Sequence, residues 1–251
     1  MDLHGSVALV TGAGRRLGRA LALSLAEGGA DLLLHVHTSS GAEVAREVRA
    51  LGRQATILSA DLSQVTAASR LSREALAVAG RVDILVNNAA VFMPTPLRRL
   101  TVQSWRELLR TNLTAPFVLA LLLGRTMQAQ GAGKIVQLGD WSGSRPRPGY
   151  LPYCVSKGGL HALTQVLAKA LAPHVQVNSV APGPVLPPED YDASARCALG
   201  ENTPLGRLGE AGDVARAVRF LIEAGEFVTG AAYVVDGGWL ARPASGTATS
   251  L

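Results

Sequence analysis

Short apolar runs alternate with longer amphipathic stretches along the whole chain. SVALVTG (6–12), ADLLLHV (30–36), ATILSA (55–60), VDILVNN (82–88), KIVQLG (134–139), VQVNSVA (175–181) and AAYVVDG (231–237) read as strands. About six helical segments lie between them, among them 17–29, 42–52 and 155–171. Nearly continuous apolar strands are covered on both faces, and strands separated by helices pair in parallel. The pattern predicts one α/β domain over 1–251 with a core over about 5–240. Its sheet is doubly wound, and ligands of such sheets sit at the carboxyl ends of the strands.

Composition supports a packed chain: 48% of its 251 residues are apolar and 17% charged, which excludes a disordered polymer. The 24 basic and 19 acidic residues are dispersed, so nucleic acid is not expected as a partner. No apolar run reaches membrane-spanning length, and MDLHGSVALVTG has no basic segment leading into a long apolar one. Cys154 and Cys197 make no disulfide framework. These features predict a cytoplasmic, thiol-reduced protein. The last residues, PASGTATSL (243–251), are small and polar and are expected to fray.

The candidate chemistry clusters at strand ends. The first strand runs into Thr11-Gly12-Ala13-Gly14-Arg15-Arg16-Leu17-Gly18, and a helix follows. Glycines there let the backbone approach a pyrophosphate at the helix N-terminus, although a plain turn reads the same way. The second strand ends His35-Val36-His37-Thr38-Ser39, without the acid that NAD enzymes offer to the ribose 2′-hydroxyl. His37, Thr38 and Ser39, with Arg15 and Arg16 nearby, suit a 2′-phosphate, so NADPH/NADP+ is expected over NADH. The alternative is an ordinary polar strand end. His-x-His also raises a metal, but no third ligand has suitable spacing and no metal is expected. Asp61, followed by Leu62, could accept from the adenine amino group. Asn88, Ala89 and Ala90 end the fourth strand. Asp61 and the Asn87-Asn88 pair could equally be caps or turn formers. Tyr153 and Lys157 are four apart, on one helix face, where an ammonium would lower the phenol's pKa. Asp140, thirteen residues before the tyrosine, would act against that.

Together these motifs resemble the short-chain dehydrogenase/reductase family over about residues 5–240. The resemblance rests on TGxxxxxG, NNAA, Asn112, YxxxK, Pro182-Gly183 and VDGG (235–238) in that order. It implies a Rossmann fold with a seven-stranded parallel sheet and helices on both faces, and commonly a homotetramer. It implies hydride transfer between a nicotinamide and a small-molecule carbonyl, imine or alcohol. Tyr153 would be the proton donor, Lys157 its tuner and the nicotinamide-ribose ligand, and Asn112 the holder of a relay water. Two positions depart from the common pattern: Arg16 replaces a glycine, and Asp140 a serine. Both departures occur in the pteridine reductase and dihydromonapterin reductase branch. That likeness favours a pterin-like substrate, with Phe92 stacked over the ring and Arg16 reaching the pyrophosphate and the substrate's polar edge. The alternatives are a general NADP(H)-dependent reductase of ketones, sugars or 3-oxoacyl thioesters, and a dinucleotide-binding regulator without turnover. The intact Asn112, Tyr153 and Lys157 argue against the regulator.

A serine hydroxyl can donate to a substrate carbonyl, whereas an ionised carboxylate only accepts. Asp140 therefore suits a substrate with N–H donors, and when protonated it could pass a proton to a ring nitrogen. Asp140 could instead be a cap, with Ser142 or Ser144 in the serine's role. Trp141 lines the pocket or is structural. Arg145 and Arg147, in SRPRPG, guide an anionic substrate or are merely solvated. Residues 184–203 are expected to form a loop that closes over substrate.

Overall fold

The computed structural model describes residues 1–187 and 191–242. The expected fraying of 243–251 and residues 188–190 of the expected closing loop lie outside the described residues, and Ala193–Glu201 of that stretch is helical rather than loop. The strands are β1 (Val7–Val10), β2 (Asp31–Val36), β3 (Ala55–Ser59), β4 (Ile84–Asn87), β5 (Gly133–Leu138), β6 (Val175–Pro182) and β7 (Ala232–Val235). The helices are α1 (Arg16–Glu27), α2 (Ala42–Ala50), α3 (Ala67–Ala79), α4 (Val102–Leu109), α5 (Ala115–Gln130), α6 (Leu151–Leu171), α7 (Ala193–Glu201) and α8 (Ala211–Glu223). The strands form one sheet in the order β3-β2-β1-β4-β5-β6-β7, every pair parallel. The order reverses between β1 and β4. Such a switch point leaves a crevice above the strand ends, because the connections on either side turn away from each other.

Alternation along each strand explains why they read as unbroken apolar runs. Ala8, Val10, Leu32, Leu34, Ile84 and Val86 face one core, with α1, α2 and α8. Leu9, Leu33, Leu85 and Ile135 face the other, with α3, α5 and α6. Successive side chains point to opposite faces, so a sheet covered on both sides has no polar positions to spare.

Two short helices, α4 and α7, exceed the six expected from periodicity. A π-type turn over Arg110–Thr114 joins α4 to α5 and carries Asn112. The continuous helical run Val102–Gln130 is long and apolar enough for a membrane span by length and mean composition, although polar residues interrupt it so that no apolar run in it reaches that length. Half of its apolar window is buried in the fold, where α5 packs on α3 and α6. The α6 helix begins at Leu151 rather than 155, because Pro152 in its first turn needs no intrahelical hydrogen-bond acceptor. Tyr153 thus lies in the first turn of the helix and Lys157 one turn on.

Candidate active site

A cavity of about 1170 Å³ opens at the carboxyl ends of the strands. Gly12, Arg15, Arg16, Leu17, Gly18, His37, Thr38, Ser39, Asp61, Leu62, Asn88, Ala89, Ala90, Phe92, Asp140, Trp141, Tyr153, Lys157, Pro182 and Gly183 line it. Asn112 is not in its wall.

At one end the glycine loop is pressed flat by its neighbours. Gly12 has φ +66, and a Cβ on Gly18 would lie 1.9 Å from the Gly12 carbonyl oxygen. Asn88 Nδ2 donates to the carbonyls of Thr11 and Gly12, and Gly12 N–H donates to His35 Nδ1 at 3.1 Å. His35 Nε2 lies 3.0 Å from Ala60 O, so the ring carries its proton on Nε2. Burial pushes its pKa down and keeps it neutral. His35 therefore pins the loop to β2, while His37 is exposed and 3.9 Å from Asp61 Oδ1. Among the described residues no three His, Cys, Asp or Glu are grouped to hold a metal. Asp61 accepts from the Ser63 amide and hydroxyl and from Gln64, which lowers its pKa to about 2. It is a turn former that also faces the cavity.

Arg15 caps α1 without a side-chain hydrogen bond, so no Arg15 side-chain acceptor engages the helix's first N–H groups. Arg16 sits at φ +50, the left-handed region in which a glycine would be unstrained. Its guanidinium donates to the carbonyls of Leu186 and Pro187, across the cavity mouth. These contacts tie the first turn of α1 to the loop after β6.

The other end holds the titratable cluster. Tyr153 Oη donates to Asp140 Oδ2 at 3.0 Å, and Asp140 Oδ1 accepts from Ser142 N–H at 2.8 Å. Both readings of Asp140 are realised, one on each oxygen: it caps the turn Trp141–Gly143 and faces the phenol. The phenol's partner is Asp140, not Ser142 or Ser144. Burial pushes the Tyr153 phenol well above its usual value, and the Asp140 charge and hydrogen bond push the same way. Burial and Asp140, rather than the lowering expected from Lys157, set the direction for this phenol. Lys157 Nζ donates to Leu138 O at 2.6 Å and lies 5.7 Å from the Tyr153 ring centre. Burial takes Lys157 itself down to about 8.

That shift has a consequence for stability. Between about 8 and the ordinary 10.5 the unfolded chain binds more protons at this lysine, so its contribution to stability rises with pH. Across that window the wild type is expected to gain on the order of 3 kcal/mol relative to Lys157→Met. Urea midpoints of both proteins at the two ends of the window check the slope.

The Asn112 side chain is engaged by the backbone of Val91 and by Ser156. Its Oδ1 accepts from Val91 N–H at 2.8 Å, and its Nδ2 donates to Val91 O at 2.9 Å and to Ser156 Oγ at 3.4 Å. The buried amide clamps the peptide that precedes Phe92. Phe92 stacks on Tyr150 (4.9 Å between centroids, 12°) and meets the Tyr153 ring edge-on at 4.9 Å. Trp141 meets Trp239 edge-on at 5.6 Å. Tyr150, Tyr191 and Trp239 were not legible as site residues. The available signal was scarcity: of four Tyr, four Phe and three Trp in the chain, six gather at or beside this cavity.

Residues 12–240 match the enoyl-(acyl carrier protein) reductase family. The chain is a short-chain dehydrogenase/reductase. This reductase is 34% identical to the 3-oxoacyl-[acyl-carrier-protein] reductase FabG of Haemophilus influenzae, over 94% of this chain and 98% of the relative. It is 36% identical to the 2-dehydro-3-deoxy-D-gluconate 5-dehydrogenase of Pseudoalteromonas atlantica, over 96% and 98% of the two chains. The structure of a blue fluorescent protein from a metagenomic library, in complex with NADPH, superposes with a TM-score of 0.87. It is 34% identical and covers 95% of this chain and 99% of that one. The pteridine branch expected from Arg16 and Asp140 gains no support from these relatives of the short-chain dehydrogenase/reductase.

Proposed function

We propose that this chain is an NADP(H)-dependent reductase that delivers hydride to the carbonyl carbon of a small molecule. The substrate class is that of ketones, keto sugars and 3-oxoacyl thioesters, in line with the relatives' names. One observation carries the reading: a buried tyrosine with its phenol in the cavity wall shares that cavity with an acid-free strand end suited to a 2′-phosphate.

The residues present fit the cofactor. The glycine loop is a cradle that a Cβ would fill, as the contact at Gly18 shows. The open α1 N-terminus offers N–H groups to a pyrophosphate. His37, Thr38 and Ser39, with Arg15, would take the 2′-phosphate, and the carboxylate that would repel it is missing from that turn. Asp61 and Leu62 would flank the adenine. Asn88, Ala89, Ala90, Pro182, Gly183 and Lys157 would hold the nicotinamide end. The cavity exceeds the usual range of about 300–1,000 Å³ for one small ligand. When bound, the cofactor supplies the hydride. Tyr153 gives its phenolic proton to the oxygen on which charge develops, and Lys157 orients that end. Asn112 acts indirectly, by fixing Val91 and so Phe92.

Asp140 favours a second reading, the pteridine-type substrate. A carboxylate beside the proton donor accepts from ring N–H groups, and the half-exposed Phe92 offers a flat face. We further propose assembly as a homotetramer, supported by the exposed apolar residues Phe220, Tyr233 and Val234 along α8 and β7.

Steady-state assays with an acetoacetyl thioester, a keto sugar acid, simple ketones and dihydropteridines, each with NADPH and NADH, test both readings. A kcat/KM at least about tenfold higher with NADPH is expected, equivalent to about 1.4 kcal/mol from the 2′-phosphate contacts. Equal use of NADH would refute the cofactor assignment. A dihydropteridine outrunning every carbonyl compound would move the substrate to the second reading.

A further inference from the structure

The catalytic end of the cavity holds a guanidinium with no acceptor. Arg147 lies between β5 and α6, in Arg145-Pro146-Arg147-Pro148, where the flanking prolines fix φ and stiffen the loop. It is half-buried and lines the cavity. Among the described residues its side chain forms no hydrogen bond and no ion pair, whereas its neighbour Arg145 donates to Arg242 O. Ring faces alone hold Arg147. Its Cζ is 3.9 Å from the Tyr150 centroid, 5.4 Å from Phe92 and 5.9 Å from Trp141. Such faces engage the plane of a guanidinium and leave its N–H edge uncommitted.

Phe92 ties this group to the chemistry. Its ring is 4.9 Å from that of Tyr153 and 5.4 Å from Arg147, so the proton donor and the guanidinium flank the same ring. The nearby carboxylate of Asp140 is taken by Tyr153 and Ser142. Arg147 is also near enough for its charge to oppose the upward shift of the Tyr153 phenol.

We propose that Arg147 is a specificity-determining residue that binds an anionic group of the substrate, a carboxylate by preference. Phe92 and Trp141 take the flat part that joins this group to the reacting carbonyl. The substrate is then a keto acid with a planar or unsaturated body. A planar guanidinium matches a carboxylate with two parallel hydrogen bonds, and a neutral ketone would leave those donors unused. The proposal rests on the reductase reading above, but its test does not need turnover.

The NADP+-saturated protein is titrated calorimetrically with benzoate, phenyl phosphate and benzamide. Benzoate is expected to bind at least tenfold more tightly than benzamide, with phenyl phosphate between them. Arg147→Met removes the difference. Arg147→Lys, which keeps the charge and loses the fork, retains part of it and guards against a folding defect. Equal binding of benzoate and benzamide, no measurable benzoate binding, or a preference that survives both substitutions would overturn the proposal. Phenyl phosphate binding more tightly than benzoate would overturn the choice of carboxylate. Failure of the reductase reading would show separately, as no NADPH oxidation with any carbonyl compound while the benzoate preference stands.

Discussion

Tyr153→Phe is expected to lower kcat for carbonyl reduction by roughly 10²–10⁴-fold, the range of a single positioned proton donor. NADPH affinity should be unchanged within a small factor. The substitution removes one oxygen and keeps the ring, whose edge packs against Phe92 at 4.9 Å. It also releases Asp140 Oδ2 from its 3.0 Å hydrogen bond, and that oxygen can turn to solvent in the cavity. Because the ring stays, the fold and the nicotinamide wall persist, and the loss falls on proton transfer. Single-turnover kinetics report the chemical step, and a fluorescence titration reports cofactor binding. A loss below tenfold would show that another group donates the proton.

Asp140→Ser is expected to act in opposite directions on the two substrate classes. In the wild type the carboxylate adds to the burial that holds the Tyr153 phenol up, which makes a weak donor at neutral pH. Without it the phenol's pKa falls toward the ordinary value, and the alkaline limb of the kcat/KM profile moves to lower pH. Each unit of that movement corresponds to about 1.4 kcal/mol, so ketone reduction should rise about tenfold per unit at most. A substrate that offers N–H donors loses its acceptor and should slow instead, by roughly 10- to 150-fold for one charge-assisted hydrogen bond of about 1.5–3 kcal/mol. The serine hydroxyl can still accept from Ser142 N–H, so the turn at Trp141–Gly143 keeps a cap. Parallel pH profiles for a ketone and a dihydropteridine separate the outcomes. Equal slowing of both would mean that Asp140 does not discriminate between the two substrate classes.

The fold was legible because its logic is local. The strands are predominantly apolar, and the motifs at their ends fall on one edge of the sheet. Several strand readings ran a residue or two long at their carboxyl ends, since Thr11, Gly12, Asn88 and Gly139 continue the run but belong to the site loops, whereas the reading of β6 stopped one residue short, at 181. Less legible was what each side chain would touch. Asn112 was placed correctly in the chain, but its commitment to Val91 depends on a π-type turn that periodicity does not reveal. Arg16 was identified as the oddity in the glycine loop, yet its acceptors lie 170 residues away in the loop after β6. The upward shift of the Tyr153 phenol was not legible because burial and the contact with Asp140, which spacing cannot show, set its direction. Asp140 was read as either a cap or a site acid; one of its oxygens caps the turn and the other accepts from the Tyr153 phenol.

The pairing of Trp141 with Trp239 also gives the protein a built-in optical reporter. Both indoles stand in the cavity wall, and only Trp105, on α4, emits from elsewhere. Indole emission overlaps the absorption band of a reduced nicotinamide, so occupancy of the cleft is readable without a label. A ligand that slides against Trp141 changes the same signal from the substrate side, and Trp105 sets the constant background against which both are measured.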